Sequence, residues 1–328
     1  MKYNNKQVSI IIPCYNGSKY INRCLNALLN QTYNNIQVIV IDDGSEDDTL
    51  EKLKLFVKEF EEKKIELIVR HQENKGQAAA INNALQYVNG EFLCWQDIDD
   101  FYNIDAIQNM VEFIEKMKAN FIRGEVAYLA ENDLNKIVKI GKSNEPCNYD
   151  IFEKYIYQND CYSFVGIFMV RMKYFDECIR DRKIYESRAG QNWQLILPLA
   201  YSSKCIYLNK IIYNQVIISN SHSRKKYKTC LEEINRITQV EEVLSNTLKR
   251  LNVYEKYEFF IKEKYAREKL NCAFKYRDKS NFLVFYNNLQ QIKRLNIKDK
   301  IKKIIIKNKF MYNLYKLIFY NHKDNKGE

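Results

Sequence analysis

Turn-forming residues are scarce and unevenly placed. The 328-residue chain has nine glycines and three prolines, and neither type occurs between Leu199 and Lys326. The first part therefore keeps the punctuation of an α/β domain, whereas the rest suits long helices with few tight turns. Long hydrophobic runs are missing too, since none approaches the ~20 residues that cross a bilayer. The opening Met1-Lys2-Tyr3-Asn4-Asn5-Lys6 lacks the basic start and small-residue cleavage site of a signal peptide, so a cytoplasmic protein is expected. The nine cysteines, an odd number, include no Cys-x-x-Cys pair, which argues against a zinc knuckle or a secreted disulfide scaffold. Reduced, mostly packed thiols fit better.

The composition, 46% apolar and 28% charged, is that of a folded globular chain. Its formal charge of +11 is concentrated at one end. Residues 291–328 hold eleven Lys/Arg against three Asp/Glu and so carry +8 of it. A nearly neutral body with a basic tail argues against nucleic acid and for a locally anchored tail.

Along the first half, apolar strands alternate with amphipathic helices. The run 8–12 (VSIII) stops at Pro13, and 36–41 stops at Asp42-Asp43-Gly44-Ser45; both read as buried parallel strands. Helices are expected at 19–31, 48–63 and 77–88, with further strands at 65–69 and 91–95. This order predicts an α/β, doubly wound, mostly parallel sheet whose ligand sits beyond the carboxyl ends of the strands. From 123 to 218 the pattern is mixed, with short strands at 166–170 and 206–208 around a helix at 191–200. Residues 229–290 read as helices. A last helix at 297–320 sets Ile301, Ile304, Ile305, Met311, Tyr315 and Ile318 on one side and Lys302, Lys309 and Lys316 on the other.

Polar clusters fall where such a sheet would bind. Asp97, Asp99 and Asp100 crowd three carboxylates into four residues after a buried strand. Like charges so close repel, and a hard divalent ion such as Mg²⁺ or Mn²⁺ relieves that repulsion. A solvated turn capping the next helix explains the same residues. Asp42-Asp43-Gly44-Ser45 offers a carboxylate to a base or ribose; a strand-to-helix turn is again the alternative. Asn74-Lys75-Gly76 precedes a run of small residues, which lets a helix start approach a ligand, or another backbone, closely. Neither a G-x-G-x-x-G loop nor a P-loop is present.

In this order the four segments, Pro13-Cys14-Tyr15-Asn16, D-D-G-S-x-D-x-T from Asp42, N-x-G-x-x-x-A-x-N-x-x-L from Asn74, and D-x-D-D from Asp97, resemble the family 2 glycosyltransferases of the GT-A fold. The match is dense over residues 7–105. The resemblance implies a GT-A, Rossmann-like nucleotide-binding domain at 1–225, divided near 105 into nucleotide and acceptor halves, then a helical region at 226–328. It also implies a nucleotide-sugar donor, usually a UDP-sugar, Mn²⁺ or Mg²⁺, and transfer with inversion. By position, Pro13, Tyr15 and Asn16 would border the nucleoside and Asp42 would contact the base. Asn74, Gly76 and Asn82 would line the same pocket, and Asp97 would face the ribose. Asp99 would bind the metal, with Asp100 supporting it or facing the sugar. Ile81 and Ala84 replace a frequent Arg and Gly.

Downstream, Gln191 and Asn192 stand where members commonly carry an acidic pair that includes the base, and neither amide takes a proton at neutral pH. The segment is similar to a G-Q-N-W-Q variant of bacterial members, leaving Glu186 or Asp100 as base. Gln191 and Asn192 read equally as a polar helix start under Trp193. His222 stands where some members place a His on the diphosphate or metal, and a solvated His reads as well; Arg224, Lys225 and Lys226 would neutralise a leaving diphosphate or be solvated charges. His71 and His322 have no evident partner. The expected protein is a metal-dependent inverting glycosyltransferase acting on a cell-surface glycan of lipopolysaccharide or capsule type. Its tail is expected to meet an anionic membrane surface, to pack on the body or to form a homodimer. The alternatives are a GT-A nucleotidyl- or phospho-sugar transferase and a non-catalytic nucleotide-sugar-binding protein.

Overall fold

A computed structural model of the chain describes residues 3–142, 148–149, 151–158, 165–218, 227–292 and 295–319. The chain divides into two compact units, Met1–Arg224 and Lys225–Glu328.

The first unit begins with β1 (Asn4–Cys14), α1 (Ile21–Leu29), β2 (Ile36–Asp43), α2 (Thr49–Glu62), β3 (Glu66–Gln72), α3 (Gln77–Leu85) and β4 (Gly90–Trp95). Strands pair in parallel in the spatial order β3-β2-β1-β4. The apolar runs dictate this. Val8, Ile10, Ile11 and Ile12 are fully buried, as are Val38 through Ile41, because helices cover both faces of a parallel sheet. Helix α1 buries Ile21, Cys24, Leu25 and Leu28 along one stripe, and α2 buries Leu53, Phe56 and Phe60. Each helix is a few residues shorter than its sequence pattern suggests, the usual uncertainty of helix ends read from pattern.

The sheet continues through β5 (Phe101–Tyr102), α4 (Ala106–Lys116), β6 (Phe121–Ala130), β7 (Asp133–Gly141), β8 (Asn148–Tyr149), α5 (Phe152–Tyr157), β9 (Phe168–Arg171), α6 (Met172–Cys178), α7 (Gln191–Ser202) and β10 (Cys205–Ile217). Its order across this half is β4-β9-β6-β10-β5, with β7 on β6 and β8 on β10. Strand β10 runs for 13 residues, against the short strand expected at 206–208. Exposed Asn209 and Lys210 interrupt its apolar pattern, and its register on β6 shifts twice between Tyr207 and Tyr213.

The second unit is helical: α8 (Cys230–Arg250), α9 (Tyr254–Lys275), α10 (Lys279–Ile292), α11 (Ile297–Lys307) and α12 (Lys309–Phe319). Leu270, Phe274, Phe282, Tyr286, Leu289, Ile305, Ile306 and Tyr312 form its core. The single helix expected at 297–320 is two. Asn308 is extended (φ −103°, ψ 120°), and its Oδ1 accepts from the N–H groups of Phe310 (2.9 Å) and Met311 (3.2 Å), so it caps α12. Ile305, Ile306 and Tyr312 are buried, whereas Ile301, Ile304, Met311 and Ile318 of the expected stripe are exposed.

Candidate active site

Parallel pairing brings the carboxyl ends of β1, β2, β3 and β4 to one edge of the sheet. The polar segments sit there and are laced together. After β1, Tyr15 is exposed and Asn16 is left-handed (φ 50°). Asn16 bridges to the loop after β2: its N–H donates to Ser45 Oγ (2.8 Å), and its Oδ1 accepts from Glu46 N (2.8 Å). Gly44 has φ +72°, and a Cβ there would lie 2.6 Å from Asn74 N, so only glycine lets the β2 and β3 loops touch.

Asp43 then fixes the third loop. Its carboxylate accepts from Gln72 Nε2 (2.8 Å), Lys75 N (2.9 Å) and Gly76 N (2.8 Å). Gly76, at φ +92°, starts α3 immediately beyond. Asp43 has no site role in the expectations above, although its place at the end of a fully buried strand was a usable signal. Asp42 is completely buried; Oδ1 accepts from Ser45 N (3.2 Å) and Oδ2 lies 2.7 Å from His71 Nδ1. It supports the site without presenting its own carboxylate to solvent.

The carboxylates of Asp97, Asp99 and Asp100 each offer an oxygen within 4.8 Å of the others. Gln77 Nε2 donates to Asp97 Oδ1 (2.9 Å), and Gln191 Nε2 donates to Gln77 Oε1, so an amide chain ties α7 through α3 to the cluster. Asp100 is buried and accepts from Val216 N of β10 (2.9 Å). The Arg23 guanidinium donates to the Asp99 carbonyl and lies over Tyr20 and Phe101. This donor set is hard oxygen at close range, which fits a small divalent cation. Burial, with the Asp99 charge second, pushes Asp97 up to about 7 and raises Asp100 as well.

Both carboxyls are more easily protonated folded than unfolded. Asp97 therefore holds stability in acid that is lost as pH rises from about 4, the unfolded value, through about 7. Thermal melts in chelator should show Tm falling across this window, and Asp97→Asn should flatten the fall. An equal slope in the variant would contradict the assignment.

Asn82, expected along the nucleotide pocket, is buried and committed elsewhere: Nδ2 donates to Ile184 O (2.9 Å), and Oδ1 accepts from Ile184 N (2.8 Å). It holds the 184–190 segment. Gln194 grips the next residue, accepting from Tyr185 N (2.6 Å) and donating to Tyr185 O (2.8 Å). Arg188 Nη2 donates to Asn74 Oδ1 (3.3 Å), and its Cγ lies 3.5 Å from where a Gly76 Cβ would stand. Glu186 is exposed between these anchors. Asn192 sits half-buried in the first turn of α7, and Pro13 half-buried near the end of β1. His222, Arg224, Lys225 and Lys226 lie outside the described residues. Gln77, Arg188 and Gln194 are given no role in the sequence reading, because their partners lie far along the chain.

The sheet order and the polar carboxyl edge of the sheet define a GT-A fold. The model of glycosyl transferase family 2 matches residues 9–179, and the chain belongs to that family. It is 29% identical over 223 residues to glycosyltransferase GlyA of Streptococcus pneumoniae, covering 66% of this chain and 32% of that protein. It is 30% identical over 244 residues to the chondroitin synthase of Escherichia coli, covering 73% and 32%. The chain thus spans about a third of the length of these curated relatives. Among solved structures, S. aureus TarS 1-349 in complex with UDP-GlcNAc superposes with a TM-score of 0.59 at 17% identity, over 92% of this chain and 90% of that one.

Proposed function

We propose that the chain is a metal-dependent, inverting glycosyltransferase that moves a sugar from a UDP-sugar to a hydroxyl of a cell-surface glycan of lipopolysaccharide or capsule type. The observation that carries this reading is the Asp97, Asp99 and Asp100 cluster, bonded at Asp97 through Gln77 to the starts of α3 and α7. The UDP-GlcNAc bound by TarS and the polysaccharide named for the chondroitin synthase relative agree with it.

The chain's residues divide the work. The loops after β1, β2 and β3 hold the nucleoside, and Arg188, above Asn74 and Gly76, supplies positive charge toward the diphosphate. Asp99, with Asp97 or Asp100, would hold a divalent cation, which would supply further positive charge beside the leaving diphosphate. Glu186 takes the acceptor hydroxyl proton as the oxygen bonds to the anomeric carbon and the bond to the diphosphate breaks. One displacement of this kind inverts the anomeric centre. Asp100 suits that role less, being buried and bonded to Val216.

Incubation with Mn²⁺ and a panel of nucleotide sugars tests the reading. UDP release from a UDP-sugar by slow hydrolysis is the expected result; release of pyrophosphate or a sugar phosphate would favour the nucleotidyl- or phospho-sugar transferase alternative. Binding with no turnover, acceptor present, would favour a non-catalytic protein.

The helices α11 and α12 support peripheral attachment to anionic lipid. Among the described residues no helix is long and apolar enough to cross a membrane. Ile297 (75%), Ile304 (61%), Phe310 (75%) and Leu317 (63%) are nevertheless exposed. The one acidic residue of these helices, Asp299, is buried and paired with Arg267 at 2.7 Å, so their exposed charge is all lysine. An amphipathic surface of this sign suits an anionic interface, where each Lys adds ~1 kcal/mol. The full chain should sediment with anionic vesicles at low salt and less at high salt. Phe310→Ser with Leu317→Ser should weaken the binding. Protein that ignores anionic vesicles contradicts the attachment.

A further inference from the structure

The carboxyl ends of β2 and β3 carry five polar side chains, Asp42, Asp43, Arg70, His71 and Gln72, and four of them are spent within the protein. Asp43 holds the Gly76 loop. Gln72 donates to Asp43 and accepts from Asn83 Nδ2 (2.8 Å). Arg70 lies over the Tyr87 ring, 5.0 Å from its centroid. Asp42 is buried between Ser45 N and His71. His71 differs. The parallel register sets it directly beside Asp42, its Nδ1 meets Asp42 Oδ2 at 2.7 Å, and yet its side chain is 51% exposed. Among the described residues Nε2 has no hydrogen-bond partner. A half-exposed ring anchored at one nitrogen, with the other open at the binding edge of the sheet, is built to contact something outside the chain.

The Asp42 pairing determines what that contact is. The Asp42 carboxylate accepts at Nδ1, so when the ring carries a single proton that proton sits on Nδ1 and Nε2 is the acceptor. An acceptor fixed at this place selects a base edge that carries an imino N–H. Uracil has one at N3, whereas cytosine has a bare acceptor nitrogen at the same position, which would face Nε2 lone pair to lone pair.

We propose that His71, oriented by Asp42, reads the nucleobase of the donor by accepting the uracil N3–H at Nε2. The inference rests on the nucleotide-sugar reading above and names the residue that sets its base preference. It also reassigns base contact from Asp42, whose carboxylate is buried, to the ring that Asp42 holds.

Calorimetric titration of the full chain with UDP and with CDP, Mn²⁺ present, tests it, using His71→Ala and the ring-retaining His71→Phe. The wild type should prefer UDP over CDP by about tenfold or more, the usual cost of leaving a paired polar group unmatched. Both variants should lose that preference mainly through weaker UDP binding, CDP changing little. If the wild type binds UDP and the variants keep the same UDP-to-CDP ratio, His71 does not read the base, while the nucleotide-sugar reading stands. If the wild type binds no nucleoside diphosphate, the reading itself falls, and the role of His71 with it. Should one variant fail to fold, as judged by its melt, the other decides.

Discussion

Asp99→Asn should abolish divalent-dependent binding of UDP while the fold survives. Asp99 sits half-buried in the loop after β4, with its backbone held by Arg23, so the amide replaces the carboxylate without moving the loop. Loss of a partner one shell out from a metal typically costs 10–100-fold in affinity, and a direct ligand should cost at least about 100-fold. Stability should hold or rise, because one of three mutually repelling carboxylates is gone. Titration with UDP, with and without Mn²⁺, reads the first effect, and a thermal melt reads the second. Unchanged Mn²⁺ dependence in the variant would remove Asp99 from the metal site.

The second large effect is expected at Glu186. The surrounding segment is held at Ile184 by Asn82, at Tyr185 by Gln194 and at Arg188 by Asn74, while Glu186 itself is exposed. In the proposed mechanism this exposed carboxylate, on a segment pinned on either side, takes the acceptor proton. Glu186→Gln should lower turnover by roughly 10²–10⁴, the range for loss of a general base, and leave donor affinity near its wild-type value. Gln191→Ala should behave differently: it breaks the amide chain to Asp97 and should weaken donor binding first. An unchanged turnover in Glu186→Gln moves proton removal to another group.

The half of the sheet built from β1 to β4 was legible in the sequence for a physical reason. Residues 8–12 of β1 and 36–41 of β2 are buried on both faces, so they appear as largely apolar runs, and the loops that follow appear as dense polar clusters. The second half lacks that contrast. Strand β7 is exposed along nearly its whole length, and β10 is interrupted by polar residues, so neither shows a clean period. The break at Asn308 was hidden because an asparagine cap carries no glycine or proline signal.

At the site, spacing located the Asp cluster but could not tell which polar atoms face a ligand. Asn82 lies within a binding-type motif, and its amide is spent on a backbone 102 residues away. His71 had no evident partner in the sequence, yet strand register sets it beside Asp42. Contacts of that kind depend on pairing between strands, which local pattern does not encode.

Crystals of the full chain soaked with UDP and Mn²⁺ test the central claim most directly. The account predicts Mn²⁺ density between the Asp99 carboxylate and the diphosphate, with the uridine lying across the loops after β1, β2 and β3 and its base against His71. A nucleotide bound elsewhere on the chain, or a diphosphate bound at this edge with Mn²⁺ remote from Asp97, Asp99 and Asp100, would contradict it.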